Sequence, residues 1–184
     1  MAHIIEGFRA ARPTPGLNNK TQVLVRTIPK LLEDASALLA ERLRAANPAL
    51  FAEITALDVV VACVSDALCR RPEFSVGSES NRCTAYVGDS LITLEVAVHC
   101  YNKLLSPHGY QQMRTQRTSA AALSAVLLST LATDAFLVTW ERVMNHGAAI
   151  SDAQRAECFE SLVGIFEARG EQARAQWLAR LVFL

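Results

Sequence analysis

The sequence predicts an all-α fold, on three observations. Apolar residues recur at steps of three and four along most of the chain, no segment alternates with period two for long enough to make a strand, and proline, glycine and Ser/Thr/Asp punctuation falls where such helices would start and stop. With 184 residues, 51% of them hydrophobic, the chain is long enough for one domain with a full core. The 18 basic and 18 acidic residues cancel and are interspersed, so no electrostatic footprint points to nucleic acid or to an anionic membrane surface. No apolar run reaches the roughly 18 residues that cross a bilayer. Met1-Ala2-His3-Ile4-Ile5-Glu6 lacks the basic-then-apolar order of a signal peptide, and the expectation is an intracellular protein with no membrane span.

Taken in order, the turn chemistry of Pro13-Thr14-Pro15-Gly16 sets residues 1–16 apart as an N-terminal arm, and its Ile4, Ile5 and Phe8 are more apolar than a solvated tail requires. Val23, Leu24 and Ile28 predict a short helix. Pro29 then stands in the first turn of a second helix, with Thr27 ahead of it as cap. That helix runs to about Ala46, with Leu31, Leu32, Ala35, Leu38, Leu39 and Leu43 on one face. Asn47-Pro48 interrupts it and begins a third helix carrying Leu50, Ile54, Leu57, Val60, Val61, Val64 and Leu68.

Arg70-Arg71-Pro72 closes the third helix, and a loop over 72–82 follows that is longer than the usual connection. Leu91, Leu94, Val98 and Leu105 mark the next helix, which ends at Ser106-Pro107. Another runs from Tyr110 to Leu131. Thr133 and Asp134 cap a helix over 135–145 with Phe136, Trp140 and Val143 inward, and Gly147 stops it. A helix from Ser151 or Asp152 to near Gly170 turns Phe159, Leu162, Val163 and Phe166 inward, and a last one carries Ala173, Trp177, Leu178, Leu181 and Val182. The five cysteines, Cys63, Cys69, Cys83, Cys100 and Cys158, read as small reduced core residues.

The order of these landmarks resembles the globin family. The resemblance rests on the proline-broken start Thr27-Ile28-Pro29-Lys30-Leu31-Leu32-Glu33 and the corner Ala45-Ala46-Asn47-Pro48-Ala49-Leu50-Phe51. Further along come Ala97-Val98-His99-Cys100, Pro107-His108-Gly109-Tyr110, and Thr133-Asp134 before Trp140-Glu141. The likeness is to single-domain bacterial haemoglobins and the globin part of flavohaemoglobins. It covers roughly 17–147, and His99 and Trp140 stand 41 positions apart, near the family's interval between proximal histidine and last helix. It implies a globin-like domain over 17–147, an arm over 1–16, a long loop before the proximal helix, and a C-terminal helical extension over 148–184.

What the resemblance implies about function centres on His99 as proximal ligand to the iron of haem b, with oxygen, nitric oxide or carbon monoxide on the far side. Tyr110 matches the family's tyrosine near that ligand. Phe51 is the candidate for the ring stacked on the porphyrin, although it falls early when Pro48 is aligned, and the distal position falls within Glu53 to Leu57. The family's oxygen-stabilising tyrosine has no counterpart in Leu38-Leu39-Ala40-Glu41, which points to weak oxygen binding.

Two other readings follow from the same residues. One is a haem-free globin-fold subunit of a larger assembly, favoured by the apolar arm, the long loop, the roughly 37 residues after Gly147 and the apolar end Leu181-Val182-Phe183-Leu184. The other is nitric oxide dioxygenase activity, for which the chain has no reductase domain. It also shows no Gly-rich nucleotide loop, metal-ligand cluster or nucleophile–base pair, and no catalytic residue is assigned. Glu95, one turn from His99, reads as a solvated residue.

Overall fold

The computed structural model of the chain describes residues 19–65, 80–145 and 147–184, with side chains for all of these except 19–26 and 145. The expected arm over 1–16 lies outside the described residues, as do Cys69, His146 and the loop over 72–79. The described residues are all-α, with no strand among them. The helices are α1 (Asn19–Ala46), α2 (Pro48–Phe51), α3 (Ala56–Val59), α4 (Arg82–Asn102), α5 (Pro107–Thr118), α6 (Ala120–Val126), α7 (Asp134–Asn145), α8 (Asp152–Ala168) and α9 (Gln172–Arg180). A 3-10 turn over Val60–Cys63 follows α3, a wider π turn over Leu127–Leu131 follows α6, and a 3-10 turn over Leu181–Phe183 follows α9.

Helices α1 to α3 and α7 belong to one compact unit, Met1–Asn81 with Ala132–Ile150, and the remaining helices to a second, Arg82–Leu131 with Ser151–Leu184. This division differs from a domain over 17–147 followed by an extension over 148–184. A unit boundary falls close to 147, and residues 82–131 share a unit with the C-terminal helices.

In unit 1 the proline expected to separate two helices lies inside one, since α1 is continuous through Pro29. Pro29 removes one backbone hydrogen bond. The helix runs on because Ile28, Leu32, Ala35, Leu39 and Leu43 form a single fully buried row across the proline. The Asn47-Pro48 break is where the sequence puts it, with the Asn47 side chain accepting from Leu50 N at 3.2 Å. The long third helix is instead three short pieces. Asp58 accepts from both Thr55 N and Thr55 Oγ1 at 2.7 Å, which starts α3 afresh, and the β-branched run Val59-Val60-Val61 tightens into the 3-10 turn. Arg44 Nη1 donates to the Ile54 carbonyl at 2.6 Å, and Trp140 Nε1 to the Cys63 carbonyl at 3.4 Å, tying both ends of this broken stretch to helices. Burial pushes the Cys63 thiol up to about 12 against a smaller lowering by the Ser36 hydroxyl, so it is an inert core group.

Unit 2 is built on the crossing of α4 and α8. Gly88 and Gly164 face each other there with so little room that a Cβ on Gly88 would stand 1.8 Å from the Glu160 carbonyl oxygen, and one on Gly164 1.8 Å from that of Thr84. Thr84 Oγ1 and Ser161 Oγ share a hydrogen bond of 2.6 Å across the same crossing. The helix expected from Tyr110 to Leu131 is split at Ser119, whose hydroxyl accepts from Ala122 N at 3.3 Å and starts α6. Ser151 and Gln154 form a capping box at the start of α8. There Asp152 accepts from Ser124 and Arg155, which hold its carboxyl below the usual range.

Candidate functional site

His99 lies in the last turn of α4 and is half-buried. Its imidazole is stacked on the Phe183 ring, with centroids 4.3 Å apart and planes 19° from parallel. Two contacts bring the chain after α9 to this position. Arg117 Nη1 on α5 donates to the Val182 carbonyl at 3.0 Å, and Arg180 Nε donates to Glu95 Oε2 at 2.9 Å. Glu95 is therefore not the solvated residue expected from its sequence context. It is 8% exposed and raises the pKa of Arg180 through their hydrogen bond and charge. The apolar end Leu181-Val182 is buried on its own unit, and Phe183 covers one face of the imidazole.

The other expected haem contacts are distributed between the units. Tyr110 stands in the first turn of α5, in the same unit as His99, and is half-buried. Phe51, Glu53 and Leu57 belong to unit 1. Phe51 is fully buried in that unit's core, Glu53 is exposed, and Leu57 is 44% exposed at the start of α3. His99 and Tyr110 thus lie in unit 2, and Phe51, Glu53 and Leu57 in unit 1. Among the described residues no group of three or more His, Cys, Asp or Glu side chains is placed to hold a metal ion. No helix among them is long and apolar enough to cross a membrane.

The feature that the periodicity left open is which side of α4 is covered. Leu91, Leu94, Val98 and Leu105 mark this helix in the sequence, and the structure buries a different set, Ala85, Ile92, Val96 and Cys100. Leu94 is 56% exposed, and Val98 and Leu105 are exposed too. With Val87 and Tyr101, which is 79% exposed, they form an apolar row along the outer side of the helix. The reason is that α4 is apolar on both sides, and a step of three and four cannot say which side is covered. The glycine at 88 was the available signal. A glycine inside a helix costs stability and usually marks a close backbone approach, which here is on the side facing away from Leu94 and Tyr101.

Comparison with protein-family models, with curated proteins and with solved structures finds no match to this chain.

Proposed function

We propose that this chain is a haem-free helical interaction subunit that joins an assembly through the outer face of α4. The observation that carries the reading is the apolar row from Val87 to Leu105, since exposed contiguous apolar surface of this kind marks contact sites on folded proteins. The Phe183 ring stacked on His99 supports it, because that side of the imidazole is given to packing within the unit. The test is to purify the chain, titrate it with haemin and follow the absorption spectrum, with sedimentation velocity run alongside. The expected result is no stoichiometric Soret band and a mass above that of one chain. A one-to-one Soret complex that His99→Ala abolishes would overturn the reading.

One observation favours a second reading, that of a haem protein binding a diatomic gas. The His99 imidazole is half-buried and stacked on Phe183 over its face, and its ring nitrogens, which lie at the ring edge, are the groups an iron atom would need. The same titration decides between the two, with His99→Ala as the variant that must lose the band if iron is held there.

A further inference from the structure

Building on the interaction-subunit reading, we infer that the outer face of α4 is covered by a second copy of this chain, its α4 laid antiparallel across the first about a twofold axis level with Val96.

The spacing is the first argument. Within α4, Val87, Leu91, Leu94, Val98 and Tyr101 are separated by alternating steps of four and three, the seam along which helices pair side by side, and Leu104-Leu105 follow in the closing turn. Laid antiparallel about position 96, Leu91 meets Tyr101 and Leu94 meets Val98, each pair occurring twice, and Val87 falls opposite the closing turn at Leu104-Leu105. This is the reciprocal contact a twofold interface requires. The seam carries no charge of its own. Beside it stand Ser90, Ala97 and Leu104 on one flank, and on the other Gly88, Asn102 and Glu95, whose carboxylate is already engaged by Arg180. The charges at its edges, Arg180 on Glu95 and Arg82 over the Tyr86 ring, are already engaged within the chain, and the uncharged seam between them is matched by an equally uncharged copy of itself.

The extent of the face is the second argument. α4 is 21 residues long, and Tyr86 and Leu104, 61% and 88% exposed, widen the row at its two ends. Seven residues of the row, from Tyr86 to Leu105, are between 39% and 88% exposed, an extent of the order of the roughly 800 Å² that each partner buries in an interface of ordinary size.

Leu104 supplies the third, independent argument. α4 closes with Leu105 N bonded to the Cys100 carbonyl and Leu104 N to that of Tyr101, both at 3.0 Å, and this closure puts Leu104 at φ 53. Glycine is the residue suited to that position. A leucine here carries backbone strain and leaves its side chain 88% exposed, an arrangement that makes sense where the side chain is needed by a partner.

The experiment is sedimentation equilibrium of the full-length chain over a concentration series, on the wild type, Leu94→Glu, Tyr101→Glu and Leu104→Gly. The wild type is expected to run as a dimer of 20.1 kDa chains that dissociates on dilution. Each glutamate variant places two charges in the seam and should weaken association on the order of 100-fold, with an unchanged helical circular dichroism spectrum. Leu104→Gly separates interface from fold, because it should weaken the dimer while leaving the dilute chain no less stable. Mild oxidation should not cross-link the exposed Cys83, since antiparallel pairing holds its two copies on the order of 40 Å apart. Rapid Cys83 cross-linking overturns the antiparallel arrangement. A monomer at all concentrations, or a dimer indifferent to Leu94→Glu and Tyr101→Glu, overturns the second copy as occupant. Uptake of haem would instead overturn the interaction-subunit reading itself.

Discussion

The two sides of α4 are about equally apolar and differ in shape. On the inner side Gly88 and Thr84 leave a groove into which the backbone of α8 settles at Gly164 and Ser161, and larger residues such as Ile92 and Val96 fill what remains. On the outer side large side chains stand out at regular intervals with no groove for a backbone. Small residues let two helices of one chain lock together, whereas a row of protruding ones suits a surface that meets its partner knob by knob. Apolar content alone thus says little about which side becomes core, and fit to a neighbouring backbone says more.

The sharpest way to break the inner side is Gly164→Ala. The added methyl would sit 1.8 Å from the Thr84 carbonyl oxygen, a backbone atom that can retreat only if the whole crossing opens. A loss of about 4 kcal/mol in urea unfolding is expected, at the upper end of overpacking effects. Gly147→Ala is the control, because nothing lies within 4 Å of that site and only its φ of 91° is strained by a side chain. Its cost should be about 1 kcal/mol.

Two residues two positions apart separate the sides further. Ile92→Ala empties a fully buried position and should cost about 3 kcal/mol. Leu94→Ala, on the exposed row, should stay within about 0.5 kcal/mol when measured on dilute protein. Equal costs for the two would mean that the row is covered within a single chain.

The tight crossing also has an electrostatic consequence. Burial, with Asp89 on α4 and Glu157 on α8 adding like charge, raises the pKa of Glu160 from 4.5 to about 7. The folded chain therefore holds a proton there that the unfolded chain releases near its ordinary pKa. Stability falls as pH rises from about 4.5 to about 7 and levels off above. Because the group is partly open to solvent, the loss should be on the order of 1 kcal/mol after screening. Glu160→Gln should flatten that slope and make the chain more stable than wild type at pH 8. An unchanged slope in urea melts at pH 5, 6, 7 and 8 would show that the crossing leaves Glu160 ordinarily solvated.

The same contrast explains how far the sequence could be read. The all-α class, the Asn47-Pro48 break, the Thr133 and Ser151 caps and the Gly170 stop follow from local chemistry, since a cap or a breaker acts within one helical turn. Pro29 defeated that logic because a buried row outweighs one missing backbone hydrogen bond. The break at Ser119 carries a cap signal, but the apolar run after it reads as continuous helix. For the candidate site, His99 in the last turn of an apolar helix was legible, but its stacking partner Phe183 was not, because a contact 84 positions away leaves no mark on either local pattern. The order of landmarks likewise says nothing about which helices share a unit, and Phe51 and His99 fall in different ones.

The smallest expected effect is the most discriminating, since it sets the ends of two helices of the same unit against each other. α8 closes on Gly170 at φ 74, with Glu171 N bonded to the Phe166 carbonyl and Gly170 N to that of Glu167, both at 2.9 Å. α4 closes with the same bonding pattern on Leu104. A left-handed leucine costs about 1–2 kcal/mol, and glycine gives back about 0.5–1 kcal/mol through the freer unfolded chain. Leu104→Gly should therefore stabilise the dilute chain by only about 0.5 kcal/mol, visible as a small rise in the midpoint of urea unfolding. Gly170→Leu should shift it the other way by a similar amount, as nothing within 4 Å would oppose the side chain sterically. A Leu104→Gly chain that is instead destabilised would mean that the leucine side chain holds unit 2 together, and the strain at the end of α4 would then serve the fold of one chain in place of its contact with another.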